Sequence, residues 1–147
     1  MRRLRHVLGL LVLGFVGAAL AGAATKNDIV QQPLSALKWT PVAPGAPILG
    51  ADAWKGPVGS YCGFAKFPKG FSEPKHFHTN DLHVVVLEGQ WGVWAPGAPE
   101  QYVTAGGYQF IPGGTEHLSK CGPTTDCVVY DCGPGAFDIQ GLAPAKN

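Results

Sequence analysis

The chain has 147 residues, of which 46% are hydrophobic and 14% charged, with a formal net charge of +1 and four cysteines. That length supports one domain with a proper core. A charge balance so close to neutral lacks the basic footprint that nucleic acid or an anionic membrane surface would demand, so both are excluded as expected partners.

The first segment, MRRLRH followed by VLGLLVLGFVGAALAGAA, joins a basic start to an apolar run that ends in small residues. It reads as a secretory signal spanning 1–23. The small-x-small pattern Ala21-Gly22-Ala23 places cleavage after Ala23, with Ala21 and Ala24 as near alternatives. An uncleaved membrane anchor is the competing reading, but the run of about seventeen residues falls short of the roughly twenty that a span needs. No cysteine follows the small residues, so a lipoprotein signal is not expected. The mature chain is therefore expected in the bacterial periplasm or outside the cell, with no stable membrane anchor once the signal is cleaved. Losing Arg2, Arg3 and Arg5 leaves eight of the eleven Lys and Arg against ten Asp and Glu, a formal net charge of −2. His6 is lost with them.

Residues 24–55 are polar and then proline-rich, which reads as an extended arm. Pro41, Pro44 and Pro47 exclude a long helix, while short strands are expected near 38–42 and 47–49. Leu34, Leu37 and Trp39 are the expected contacts onto the main body. The arm could cover a sheet edge or exchange with a second subunit.

From Gly56 onward, within a main domain expected to span 56–147, short β-branched and aromatic runs alternate with Gly and Pro clusters, the pattern of an all-β domain. Strands are predicted over 58–67, 74–78, 83–88, 90–95, 101–104, 108–111, 117–120 and 127–130. Eight short strands suffice to close a small double-sheet barrel around one site. Phe64, Phe67, Trp91, Trp94, Tyr102, Tyr108 and Phe110 are expected in its core. Glu73, Glu88 and Glu116 read as solvated strand ends.

Of the five histidines, three stand in 70–89, GFSEPKHFHTNDLHVVVLEG, and His117 stands in GGYQFIPGGTEHLSK. His76 and His78 alternate with Phe77, so on a strand both imidazoles face one side. A turn at Thr79, Asn80 and Asp81 would let the next strand bring His83 beside them. An HxH pair alone is a weak signal, since such histidines are often surface or satisfied core residues. Four imidazoles around one point are a different matter, because neutral rings in that number suit Zn, Cu, Fe or Ni.

These two clusters resemble the two motifs of the cupin superfamily. The first runs Gly70, five residues, His76-Phe77-His78, four residues, then His83. The second runs Gly106, five residues, Pro112-Gly113-Gly114, two residues, then His117. The resemblance covers about 56–131 and implies a cupin double-stranded β-helix, or jelly-roll, barrel. It implies one divalent transition metal held by His76, His78, His83 and His117. Two departures stand out. His83 replaces the family's usual glutamate ligand, and counting back from Gly89 puts Leu82 in that slot, so a register change or bulge is needed to seat His83. Cys121 also stands where the family usually has asparagine. Asp81 is left between turn former, ligand and support for an imidazole N–H, with the turn favoured.

The expected compartment permits disulfides, and a five-residue loop between adjacent strands pairs Cys121 with Cys127, leaving Cys62 with Cys132 as a possibility. Cupins span enzymes, sensors and storage proteins. The resemblance implies a small-molecule metalloenzyme of dioxygenase type, with a non-catalytic periplasmic metal- or small-ligand-binding module as the alternative. Cupin dimers make a homodimer a further possibility.

Overall fold

A computed structural model describes residues 31–42, 46–54 and 60–141. The expected signal at 1–23 and the first part of the arm lie outside the described residues. Among the described residues a 3₁₀ turn, Leu34–Ala36, precedes ten strands. They are β1 (Thr40–Pro41), β2 (Leu49–Trp54), β3 (Tyr61–Phe67), β4 (Ser72–His76), β5 (Leu82–Glu88), β6 (Gln90–Trp94), β7 (Tyr102–Thr104), β8 (Tyr108–Ile111), β9 (His117–Cys121) and β10 (Cys127–Gly133).

The strands form two antiparallel sheets, ordered β1-β2-β3-β10-β5-β8 and β4-β9-β6-β7. This is the jelly-roll barrel expected from the sequence. Each hairpin neighbour in sequence tends to fall in the other sheet, so β5 and β6 are consecutive in the chain yet belong to different layers. Gly89 makes that crossing possible: its φ is +74°, and a Cβ there would lie 2.5 Å from the Asp126 carbonyl oxygen. Only glycine meets both conditions. The arm adds its own strands, since β1 pairs with β2 and β2 with β3.

Alternation along β5 shows how the core is filled. Leu82, Val84 and Val86 are buried, whereas His83 and Glu88 are exposed. The inward set packs with Phe67, Trp91, Ile111 and Val129, and the Phe67 and Trp91 rings stack at 4.2 Å between centroids. On β8 the same period of two turns Ile111 inward and leaves Tyr108 and Phe110 outward, 55% and 49% exposed. Both were expected in the core. They occupy an edge strand of the larger sheet, whose outer side carries them.

Two disulfides tie the barrel. Cys121–Cys127 closes the β9–β10 connection, as the spacing predicts, and Cys62–Cys132 joins residues that are directly paired across β3 and β10. Sequence separations of 70 and 6 correspond, on loop-closure entropy, to about 4 and about 2 kcal/mol respectively. Two such bonds fit an oxidising, extracytoplasmic setting. Among the described residues no helix is long and apolar enough to cross a membrane.

Candidate metal centre

The smaller sheet places two histidines side by side, because β4 and β9 pair with His76 opposite His117. His78 follows β4 in the segment that turns toward β5. All three are buried, at 2%, 7% and 3% exposure, and each offers a ring nitrogen such that the three lie within 4.8 Å of one another. The ring centroids are 4.3 Å apart for His76 and His117 and 5.2 Å apart for each pair with His78.

Backbone carbonyls decide which nitrogen each ring presents. The His76 Nδ1–H donates to the Pro74 carbonyl at 2.7 Å, that of His78 to the Asp138 carbonyl at 2.5 Å, and that of His117 to the Thr115 carbonyl at 2.9 Å. A carbonyl only accepts, so each Nδ1 carries the proton and each Nε2 keeps a lone pair for a cation. Burial also holds the His78 pKa below the usual imidazole value and pushes that of His117 down to about 4. These two rings are therefore neutral at pH 7, the form that binds metal. Three imidazoles pre-oriented in this way are a fitting donor set for a divalent transition metal.

His83 does not join them. It stands on the exposed side of β5, where its Nδ1 bonds the Tyr108 hydroxyl at 2.6 Å and its ring lies 5.1 Å from that of Phe110. The bulge needed to turn it inward is absent at this point. The one irregularity in the β5–β10 pairing lies beyond it, between Val128/Val129, so Leu82 keeps the inward slot and His83 faces out. Asp81 is no ligand either. Its carboxylate accepts the Gly113 N–H at 2.8 Å, joining the loop after β4 to the loop before β9. The two loops touch closely: a Cβ on Gly113 would lie 2.6 Å from the Thr79 carbonyl oxygen, and the Gly114 N–H donates to the His78 carbonyl at 2.8 Å. Glu88 and Glu116 are exposed strand-end acids as expected, Glu116 pairing with Lys75 at 2.9 Å.

Glu73 breaks that expectation. Its side chain is 13% exposed, and its Oε2 accepts from the Ser119 hydroxyl at 2.6 Å and lies 3.8 Å from His76 Nε2. A cavity of about 40 Å³ adjoins the triad, lined by Glu73, Ser119 and apolar side chains from both sheets, among them Leu82, Val84, Trp91 and Ile111. Asp131 reaches it from β10, across from the histidines. Burial raises the Asp131 pKa to about 7, against the lowering effect of the Tyr61 hydroxyl, which donates to Oδ1 at 3.1 Å. At the rim, the Phe137 ring rests 5.0 Å from Tyr61 and 5.2 Å from His78. The segment carrying it is held by a two-way backbone bridge between Phe77 and Gln140 and by the Asp138 carboxylate, which accepts from the Thr79 N–H and hydroxyl.

The family described as "Domain of unknown function (DUF4437)" matches residues 23–145. The chain belongs to that family. No curated protein matches this DUF4437 member. Among solved structures it is similar to the polyketide cyclase RemF from Streptomyces resistomycificus, at 20% identity and a TM-score of 0.64 over 81% of this chain and 89% of that one. An RmlC-like cupin from Ralstonia eutropha also gives 20% identity and a TM-score of 0.64, over 82% and 76%. KdgF from Halomonas sp. gives 20% and 0.57, over 71% and 94%. Likeness at this identity establishes the cupin fold of the DUF4437 chain and leaves its chemistry to its own residues.

Proposed function

We propose that this protein is an exported metal-dependent enzyme of the dioxygenase type, acting on a small organic molecule. The observation that carries the reading is that two of the three histidines, His78 and His117, line the wall of a cavity instead of being enclosed. A structural site is closed by its ligands, whereas a catalytic one keeps a position free. His76, His78 and His117 would hold the ion, which when bound supplies Lewis acidity and, for Fe, Cu or Ni, redox chemistry with oxygen.

The remaining side chains have separate tasks. Leu82, Val84 and Ile111 line the wall with hydrocarbon and keep bulk water from the reacting atoms. Asp131 holds a proton at its carboxyl up to about pH 7 and is placed to give or take one beside a substrate in the cavity. The Tyr61 hydroxyl fixes the orientation of that carboxyl. Export rests on the two disulfides and on the signal-like first 23 residues, and the expected partner is a small molecule rather than nucleic acid.

One observation favours a second reading, a non-catalytic module that binds a metal or small ligand. The cavity of about 40 Å³ has room for roughly three waters, which admits oxygen or a fragment but not a ring-sized substrate unless the Phe137 segment moves. The deciding experiment is anaerobic reconstitution with Fe(II), Cu(II) or Ni(II), then oxygen-electrode screening against β-diketones, flavonols, catechols and thiols. Metal-dependent oxygen uptake with one of them supports the enzyme. Tight metal binding without turnover in any form transfers the assignment to the binding module.

A further inference from the structure

The strand β4 carries an irregularity whose effect is chemical. Glu73 and His76 are three residues apart, and in a regular strand residues at an odd separation face opposite sides. Here Glu73 pairs with Ser119 and His76 with His117, so three steps on β4 match two on β9. The extra residue is a bulge at Pro74–Lys75, and it resets the phase of the strand. Glu73 is thereby half-buried and His76 buried on the same inner face, while Pro74 and Lys75 are exposed. Proline suits the bulge because it has no N–H to leave unpaired. Its carbonyl does further service by fixing His76 Nδ1.

We propose that Glu73 is a fourth protein ligand of the metal centre, binding through its carboxylate beside His76 and leaving the Asp131 side of the cavity open for substrate. This rests on the metal reading above. The Glu73 Oε2 lies 3.8 Å from His76 Nε2, too long for a direct hydrogen bond but within the span of about 4 Å that two donors roughly 2.1 Å from one ion can cover. Strand β5 supplies no donor, since Leu82, Val84 and Val86 face in. Imidazole ligands bring no negative charge to a dication in a largely apolar cavity, and a directly bound carboxylate lowers the cost of holding it there. The Ser119 hydroxyl donates to Glu73 at 2.6 Å, the kind of outer contact that orients a ligating carboxylate.

The test is competition between the protein and a chromophoric chelator for Zn(II) and Co(II), run on wild type, Glu73→Gln, Ser119→Ala and His117→Ala, together with the Co(II) ligand-field spectrum. Glu73→Gln should weaken binding by about 100-fold and alter the Co(II) bands, with Ser119→Ala weakening it by about tenfold. Glutamine keeps the shape and can still accept from Ser119, and Ser119→Ala provides an independent reading if Glu73→Gln does not fold. Wild-type affinity within threefold in both variants, with unchanged Co(II) bands and His117→Ala defective, would overturn the role of Glu73 alone. Wild-type affinity in His117→Ala would overturn the triad itself, and the fourth ligand with it.

Discussion

The inner face of β4 and β9 and the outer face of β5 and β8 both carry histidine among aromatic neighbours, yet they have opposite characters. Inside, His76, His78 and His117 are buried, each Nδ1 is tied to a backbone carbonyl, and three lone pairs converge. Outside, His83 bonds a tyrosine hydroxyl and lies by two rings that are about half exposed. What separates them is the phase of a two-residue repeat. A shift of one position along β5 would exchange Leu82 for His83 in the cavity.

Packing should show the largest contrast between the faces. Leu82→Ala removes a side chain only 6% exposed from the core and should cost about 2–5 kcal/mol in denaturant unfolding. Phe110→Ala, on the outer side, should cost about 1 kcal/mol or less, reflecting its contact with His83. Equal losses from the two would erase the distinction between inside and outside.

A pH contrast sharpens it further. The folded-state pKa of Asp131 is raised from 3.8 to about 7, so between those values the folded chain binds a proton that the unfolded chain has lost. Its contribution to stability is thus fully present below about pH 4, falls as pH rises, and is gone above about pH 7. His117 works in the opposite direction, its depressed pKa withdrawing stability as pH falls from 6.5 to about 4. The quantity to measure is therefore the difference between wild type and Asp131→Asn, both metal-free. The variant should gain on wild type steadily from pH 4 to 7 in thermal melts and stay more stable above that. A constant difference would mean that Asp131 is ionised in the fold throughout. The smallest effect expected is that of His83→Ala, a change in stability within about 0.5 kcal/mol.

Much of this arrangement was legible in the sequence. Gly and Pro punctuation marked most of the strands, and the two histidine motifs located the three histidines that come together and could hold a metal. The Cys121–Cys127 pair followed from loop length and compartment, which left Cys62–Cys132 as a possibility. The sequence signal fails where the phase of alternation changes. His83 was assigned inward on the supposition of a bulge in β5, whereas the bulge that matters lies in β4 and turns Glu73 inward. Period-two counting cannot locate such a bulge, although Pro74 directly between Glu73 and the histidines was a hint of it. Asp131 carries only a faint signal as well. A lone acid in the apolar run CVVYDC, two residues from Val129 and four from Cys127, shares their inward face, and that alternation was its available signal.

Metal content tests the central claim most directly. Wild type, His117→Ala and His83→Ala should be loaded with Zn(II), dialysed against a weak chelator and measured by elemental analysis per chain. About one ion in wild type and in His83→Ala, with a near-complete loss in His117→Ala, is the predicted result. Loss of the ion in His83→Ala, or its retention in His117→Ala, would contradict the three-histidine centre.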